Sequence, residues 1–266
     1  MENPYQPFQP TLTKSGLNTF GLYLKSTNAC IYLRGIVHSY LQIEATMPTR
    51  YPIIPDGTQA IFISPNGSLL SGSRLQACDL QILDAGEYFG IWFYPGGLRH
   101  FVNLNVSEIK DQFVDDSCLS WSGFDDLYKR IYQNNNFRDR AAVCEQWLLS
   151  NLNKLPINQF DHALSLIYQS FGNIRISGLT KLVGWSDRHL NRLFHRNTGL
   201  STKEFAQTIR IQHACKQMYS VQASSSNTHH DLGYFDQSHL IKNWNKFLLS
   251  SPSTFWERFK SDFYNS

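Results

Sequence analysis

No stretch of this sequence holds the roughly 18 consecutive apolar residues that a membrane-crossing helix requires, and the opening MENPYQPFQPTLTK lacks the basic, apolar, small-residue order of a secretory signal. The expectation is a cytoplasmic protein with no membrane partner. Cysteine is scarce, and Cys30, Cys78, Cys118, Cys144 and Cys215 are odd in number and widely scattered. That pattern argues against a disulfide framework and against any close-spaced zinc motif. Nor is there a nucleophile elbow, a phosphate-binding loop or an HExxH string. No catalytic residue or cofactor site can therefore be named, and an enzyme is not expected.

Charge is sparse as well, 17% of residues with a net +3, but it is unevenly placed. Residues 1–155 carry 12 Lys or Arg against 14 Asp or Glu, and residues 156–266 carry 12 against 7, so the halves differ as −2 and +5. Seven of the nine histidines also fall in the second half. A neutral or acidic unit joined to one that meets a polyanion has this asymmetry, although +5 is modest for nucleic-acid binding.

What the sequence does contain is a well-marked helix at GWSDRHLNRLFHRNTG, residues 184–199. Ser186 is a good N-cap, Asp187 places a carboxylate in the first turn and Gly199 supplies a left-handed stop. Leu190, Leu193 and Phe194 form its inward seam, while Arg188, Asn191, Arg192 and His195 recur at i, i+3, i+4 and i+7 on the other side. Arginine matches the acceptors of guanine in a major groove and asparagine those of adenine. A solvated surface helix would show the same amphipathicity, so the argument needs the preceding segment. ISGLTKLV, residues 176–183, runs into Gly184 just two residues before the cap, which gives helix, tight turn, helix.

These residues resemble the AraC/XylS family of bacterial transcription regulators, whose DNA-binding domain holds two helix-turn-helix units joined by a long helix. LGYFDQSHLIKNW, residues 232–244, is similar to that family's second turn and recognition helix. The resemblance covers roughly 157–266 and implies a DNA-binding transcriptional regulator that acts on double-stranded DNA. It also implies a homodimer, a small-molecule effector and, for an activator, RNA polymerase as a partner. The DNA-facing residues it implies are Arg188, His189, Asn191, Arg192 and Arg196 in the first unit and Gln237, Ser238, His239, Lys242 and Asn245 in the second. Within that set Arg188, Asn191 and Arg192 are expected at base edges, and Arg196 and Lys242 at phosphates. Ile241 could touch a thymine methyl, and His239 either reaches DNA or braces the turn.

The expected fold class is α+β: a β-rich barrel or sandwich with trailing helices over 1–152, then an all-α domain over 157–266. The first ten residues, with three prolines and no periodicity, read as a mobile extended arm, with order beginning near Leu12. Short apolar or alternating runs then suggest strands, punctuated by Pro55-Asp56-Gly57, Pro65-Asn66-Gly67 and Pro95-Gly96-Gly97 as hairpin turns. YPIIPDGTQAIFI and GIWFYPGGLRHF resemble a sensor-like domain of some AraC-type regulators, over about 45–105. Tyr51, Trp92, Phe93, Tyr94, Arg99 and His100 could line an effector pocket, while alternating aromatics in strands ordinarily form core. Two helices are expected across 121–152, with Leu127, Ile131, Phe137, Ala141, Cys144 and Leu148 facing either a second subunit or the barrel.

Three positions depart from the family pattern. SSSNTHHD, residues 224–231, is polar where an apolar helix face is usual, Leu249 stands in place of a glycine after the second recognition helix, and Thr202 replaces a common proline. The second unit should accordingly contribute less affinity than the first. A competing reading, a metal-binding protein or enzyme, rests on His213, Cys215, His229, His230 and His239, which lack the fixed spacing of a metal site. An N-terminal domain acting only in assembly is a third.

Overall fold

The computed structural model of the chain describes residues 5–255 except 11, 13–16, 19, 66, 83, 116–120, 122, 154 and 222–231, with the backbone alone at 220 and 221. The polar 224–231 segment with His229 and His230, and also Cys118 and Asn66, lie outside the described residues. Among the described residues no helix is long and apolar enough to cross a membrane.

The first half is built on strands β1 (Leu22–Asn28), β2 (Val37–Ala45), β3 (Thr49–Ile53), β4 (Gln59–Ser64), β5 (Gly67–Ser71), β6 (Cys78–Ile82), β7 (Gly86–Phe93) and β8 (Phe113–Asp115). Six of these form an antiparallel sheet in the order β1-β2-β7-β4-β5-β8, and β3 and β6 pair separately. Both faces of the large sheet are covered, which explains why β2 is buried at most positions and β7 ends in a continuous buried run rather than a clean alternation. Ile61, Ile63, Phe89, Ile91 and Phe93 point to one face, and Leu41, Ala60 and Trp92 to the other.

Helices α1 (Phe124–Tyr132) and α2 (Phe137–Ser150) cover the first face. Leu127, Ile131, Ala141, Cys144 and Leu148 are buried there, with Phe137 packed beside them. Both helices turn these apolar faces to the sheet. Arg140 anchors α2 further, donating to Gln42 Oε1 at 3.1 Å and Glu87 Oε2 at 2.7 Å.

One of the three expected hairpin turns joins paired strands: Ser64 and Gly67 are partners at the β4–β5 turn. Gly57 (φ +75°) carries the chain from the small sheet into the large one, and Gly96 (φ +76°) leads out of β7 into a 3-10 turn. The same left-handed geometry thus marks sheet exits as readily as hairpins.

The arm reading also needs correction, because residues 5–10 are fixed in place. Tyr5 stacks on Tyr168 with ring centroids 4.8 Å apart and planes 7° apart, and its hydroxyl donates to the Asp56 carbonyl at 2.7 Å. Gln9 donates to the Ile54 carbonyl and accepts from the Ile54 N–H. The Phe8 N–H donates to Gln212 Oε1 at 2.7 Å, and Gln212 Nε2 donates back to the Phe8 carbonyl. These residues have no periodicity because they are a strap laid between two units, not part of a regular element.

The second half is helical: α3 (Gln159–Gln169), α4 (Ile176–Val183), α5 (Asp187–Thr198), α6 (Thr202–Val221) and α7 (Gln237–Leu248). Asn158 and Asp161 close a reciprocal capping box at the start of α3. α6 has 20 residues, which at 1.5 Å per residue makes it about 30 Å long.

Candidate nucleic-acid interface

α5 begins at Ser186, whose hydroxyl accepts the His189 N–H at 3.3 Å, and ends at Gly199 in the left-handed conformation. Leu190 and Phe194 are fully buried with Phe160, Leu179 and Phe205. The ring of Phe194 tilts against Phe205 at 5.3 Å and meets Phe160 edge-on at 5.1 Å. Burial of this seam turns the opposite face outward. Arg188 and Arg192 are exposed, and His189, Asn191 and His195 are half-buried.

Two of the half-buried members, Asn191 and His189, have local partners. Asn191 Oδ1 accepts the Thr202 N–H at 3.0 Å, so it caps the start of α6. The ring of His189 sits edge-on against Trp185 at 4.7 Å, and its Nδ1 lies 3.3 Å from Arg192 Nη2. Arg196 is exposed and donates to Asn103 Oδ1 across the domain boundary.

α7 is built the same way. Asp236 Oδ1 accepts the His239 N–H at 2.6 Å, and Leu240, Trp244, Phe247 and Leu248 are buried with Ile211, Ala214 and Cys215 of α6. Gln237, Ser238, Lys242 and Asn245 are exposed on the opposite side. His239 is half-buried, edge-on to Tyr234 at 5.2 Å, with Nδ1 3.5 Å from the Phe235 N–H. Its contacts are those of a brace. α7 ends on Leu249 at φ +55° and ψ +23°, so the leucine occupies the left-handed conformation that the missing glycine would take.

The histidine and cysteine cluster is dispersed. His213 stacks on Phe171 at 4.1 Å, Cys215 is fully buried in the α6–α7 core, and His239 braces its turn. Among the described residues no three His, Cys, Asp or Glu side chains are arranged to hold a metal.

α5 and α7 both touch the first half of the chain at their C-terminal ends. A Cβ placed at Gly199 would lie 3.1 Å from the Val106 carbonyl, and Lys110 pairs with Glu204 at 3.0 Å. The carbonyl at Phe247 accepts the Ala77 N–H at 2.7 Å, and that at Lys246 accepts from Gln76 Nε2 at 2.9 Å. Nothing in the sequence points to Asn103, Val106 or Gln76, because loop residues that cap a distant helix carry no periodic pattern.

Two of the six candidate effector residues come together. Tyr51 and Trp92 line a cavity of about 90 Å³ between the two sheets, with Leu41, Phe62, Asp56 and Arg74. Burial pushes the Asp56 carboxyl above its ordinary range, against the hydrogen bonds from Thr58 and Gln9 that pull it down. Tyr94 and Arg99 lie elsewhere. Tyr94 joins the core around Phe160 and Tyr168, and Arg99 pairs with Asp161 with its guanidinium 4.7 Å over the Phe160 ring. Phe93 faces the helix-covered side of the sheet. His100, beside Arg99, is held below the usual histidine range by burial and then by that arginine. Strand alternation assigns a face to each aromatic but not what covers the face, which is why Tyr94 was grouped with the cavity.

Comparison with known proteins bears on both halves. A helix-turn-helix domain family matches residues 179–258, and a family described as a domain of unknown function, DUF6597, matches 25–115. An uncharacterized HTH-type transcriptional regulator of Staphylococcus aureus (strain MSSA476) is 23% identical over 167 residues, covering 51% of this chain and 22% of that protein. The lactose operon transcription activator of Staphylococcus xylosus is 29% identical over 99 residues, 37% of this chain and 36% of that one. The chain thus spans about a fifth of the length of the first relative. Among solved structures, ToxT from Vibrio cholerae covers 89% of this chain and 97% of its own at 12% identity, with a TM-score of 0.40.

Proposed function

Because this chain carries a helix-turn-helix domain of the AraC type at its C-terminal end, we propose that it is a sequence-specific, double-stranded-DNA-binding transcriptional regulator. One observation carries the reading. The chain builds two capped helices, α5 and α7, each with an apolar seam buried against α6 and an exposed hydrogen-bonding face. A connecting helix of about 30 Å suits two helices that enter successive turns of one DNA face.

In this reading Arg188 and Arg192 hydrogen-bond base edges, with His195 beside them, and Lys242 meets phosphate. Gln237, Ser238 and Asn245 supply the polar face of the second helix. Asn191 and His189 act as positioning residues: the first holds α6 against α5, and the second sets the Arg192 guanidinium. Arg196 exchanges its bond to Asn103 for a phosphate when DNA arrives. The reaction is binding alone and needs no catalytic step. The sheet domain couples an effector, taken into the cavity lined by Tyr51 and Trp92, to the recognition helices through the contacts at Asn103, Val106 and Ala77. An activator of this kind would engage RNA polymerase, and a homodimer would pair two such readers.

Selection of binding sites from random duplex DNA by the purified chain, beside Arg192→Ala, tests the reading. The expected result is two short boxes about one helical turn apart, with the variant losing preference in one box. Wild type that enriches nothing while folded overturns it.

A further inference from the structure

The two helix-turn-helix units differ by one residue in the turn. In the first, Gly184 (φ +71°) is followed by Trp185 and then the cap Ser186. In the second, Gly233 (φ +75°) is followed by Tyr234, Phe235 and then the cap Asp236. Tyr234 does what Trp185 does. It is buried, and its ring meets His239 edge-on as that of Trp185 meets His189. The guanidinium of Arg210 lies 5.7 Å from the centroid of the Tyr234 ring.

Phe235 is therefore the inserted residue, and its ring stands 82% exposed. The turn holding it is closely packed at its start: the side chain of Asn173 lies so near Gly233 that a Cβ there would fall 2.0 Å from Oδ1. An exposed aromatic ring immediately before the N-terminus of a recognition helix sits at the end that such helices insert into the groove. The exposed face that follows it, Gln237, Ser238, Ile241 and Lys242, is short of cations compared with Arg188 and Arg192 in the first unit.

We infer that Phe235 is a DNA contact of the second unit, placed against the C5-methyl of a thymine, with Ile241 making a second such contact further along the helix. The inference rests on the regulator reading. Thymine presents the one apolar group of the major groove, and Phe is among the side chains that meet it. The second unit thus reads by methyl contact where the first reads by hydrogen bonds.

The test uses the full chain and the duplex enriched by selection, with binding followed by fluorescence anisotropy at fixed salt. Thymines of the second box are replaced one at a time by deoxyuridine, which removes only the methyl. Wild type should lose roughly fourfold in affinity at each contacted position, the effect of one buried carbon. F235A should bind the thymine duplex more weakly and no longer distinguish uracil from thymine at one of those positions. I241A should do the same at another, and F235L should keep most of the discrimination. Because the ring is exposed, F235A should keep the wild-type melting temperature. A second box without thymine, an F235A affinity equal to wild type, or an unchanged uracil-to-thymine ratio in F235A overturns the inference. The last two would leave the ring to a protein partner. Failure of the regulator reading has its own signature: wild type and Arg192→Ala then bind all duplexes alike.

Discussion

The two helix-turn-helix units superimpose in sequence at an offset of 50 residues. Ser186 answers to Asp236, His189 to His239, Leu190 to Leu240, Phe194 to Trp244, Gly199 to Leu249, Ser201 to Ser251 and Phe205 to Phe255. Packing repeats with them, since Phe194 meets Phe205 at 5.3 Å and Trp244 meets Phe255 at 5.4 Å. What differs is the finish. The first unit ends on a glycine and starts its next helix with a reciprocal pair, Ser201 and Glu204, each bonded to the other's N–H. The second ends on a strained leucine, and Thr254 stands where Glu204 would be, its N–H bonded to Ser251 Oγ. A duplicated frame thus keeps its buried aromatic pair and varies its caps and outer face.

The comparison breaks most sharply at the buried rings. Phe194→Ala and Trp244→Ala should each cost about 3–5 kcal/mol of stability, read by urea denaturation. If the units fold as one body, both variants lose the same cooperative transition, whereas separate transitions would show that each unit melts alone.

Next in size is the outer face. Arg192→Ala should cost about 1–3 kcal/mol at the specific site and relax base preference there. Lys242→Ala should weaken all duplexes alike and reduce the slope of log affinity against log salt by about one. Equal effects on preference from both variants would erase the assigned division between base and phosphate contacts.

The helix stops can be exchanged. Leu249→Gly should stabilise the second unit by about 1 kcal/mol, because a leucine in the left-handed region carries a penalty that glycine lacks. Gly199→Leu should destabilise the first unit by more, since its Cβ also approaches the Val106 carbonyl. Melting temperatures of the two variants, moving in opposite directions, check this.

The smallest effect is a pH dependence. Burial alone would raise the Glu204 carboxyl, but the Ser201 N–H and hydroxyl and the Lys110 ammonium outweigh it and bring the pKa down to about 2. A carboxyl lowered in the folded state stabilises fully above its unfolded value near 4.5 and loses that contribution as pH falls toward 2. The melting-temperature gap between wild type and Glu204→Gln should therefore close across that window, and a gap that persists at pH 2 would exclude this cap as its source.

Features set by near neighbours were legible in the sequence. Ser186 and Gly199 bound α5 because capping is decided within four residues, and Leu249 stood out because the family resemblance puts a glycine at that position. The α+β plan followed from the strand-like runs of residues 17–106 giving way to helical spacing from residue 121 onward. Contacts between distant segments were not legible. Asn191 has the spacing of an outward residue, but its amide is drawn to the Thr202 N–H across a turn. Tyr94 and Arg99 belong to strings that look like a pocket wall, and only the docking of α3 shows that they face Phe160 and Asp161. Tyr5, Phe8 and Gln9 have no pattern at all, since their partners lie on other elements 45 to 204 residues away.

That last separation has a consequence for synthesis. Phe8 leaves the ribosome 204 residues ahead of Gln212, its hydrogen-bonding partner, which at about 5–20 residues per second is a wait of roughly 10–40 s. The sheet can close during that interval while Phe8 still lacks its place on α6. A chain halted before α6 can seat Tyr5 on Asp56 and Gln9 on Ile54 but leaves Phe8 without Gln212, so the strap closes in two stages set by the order of synthesis.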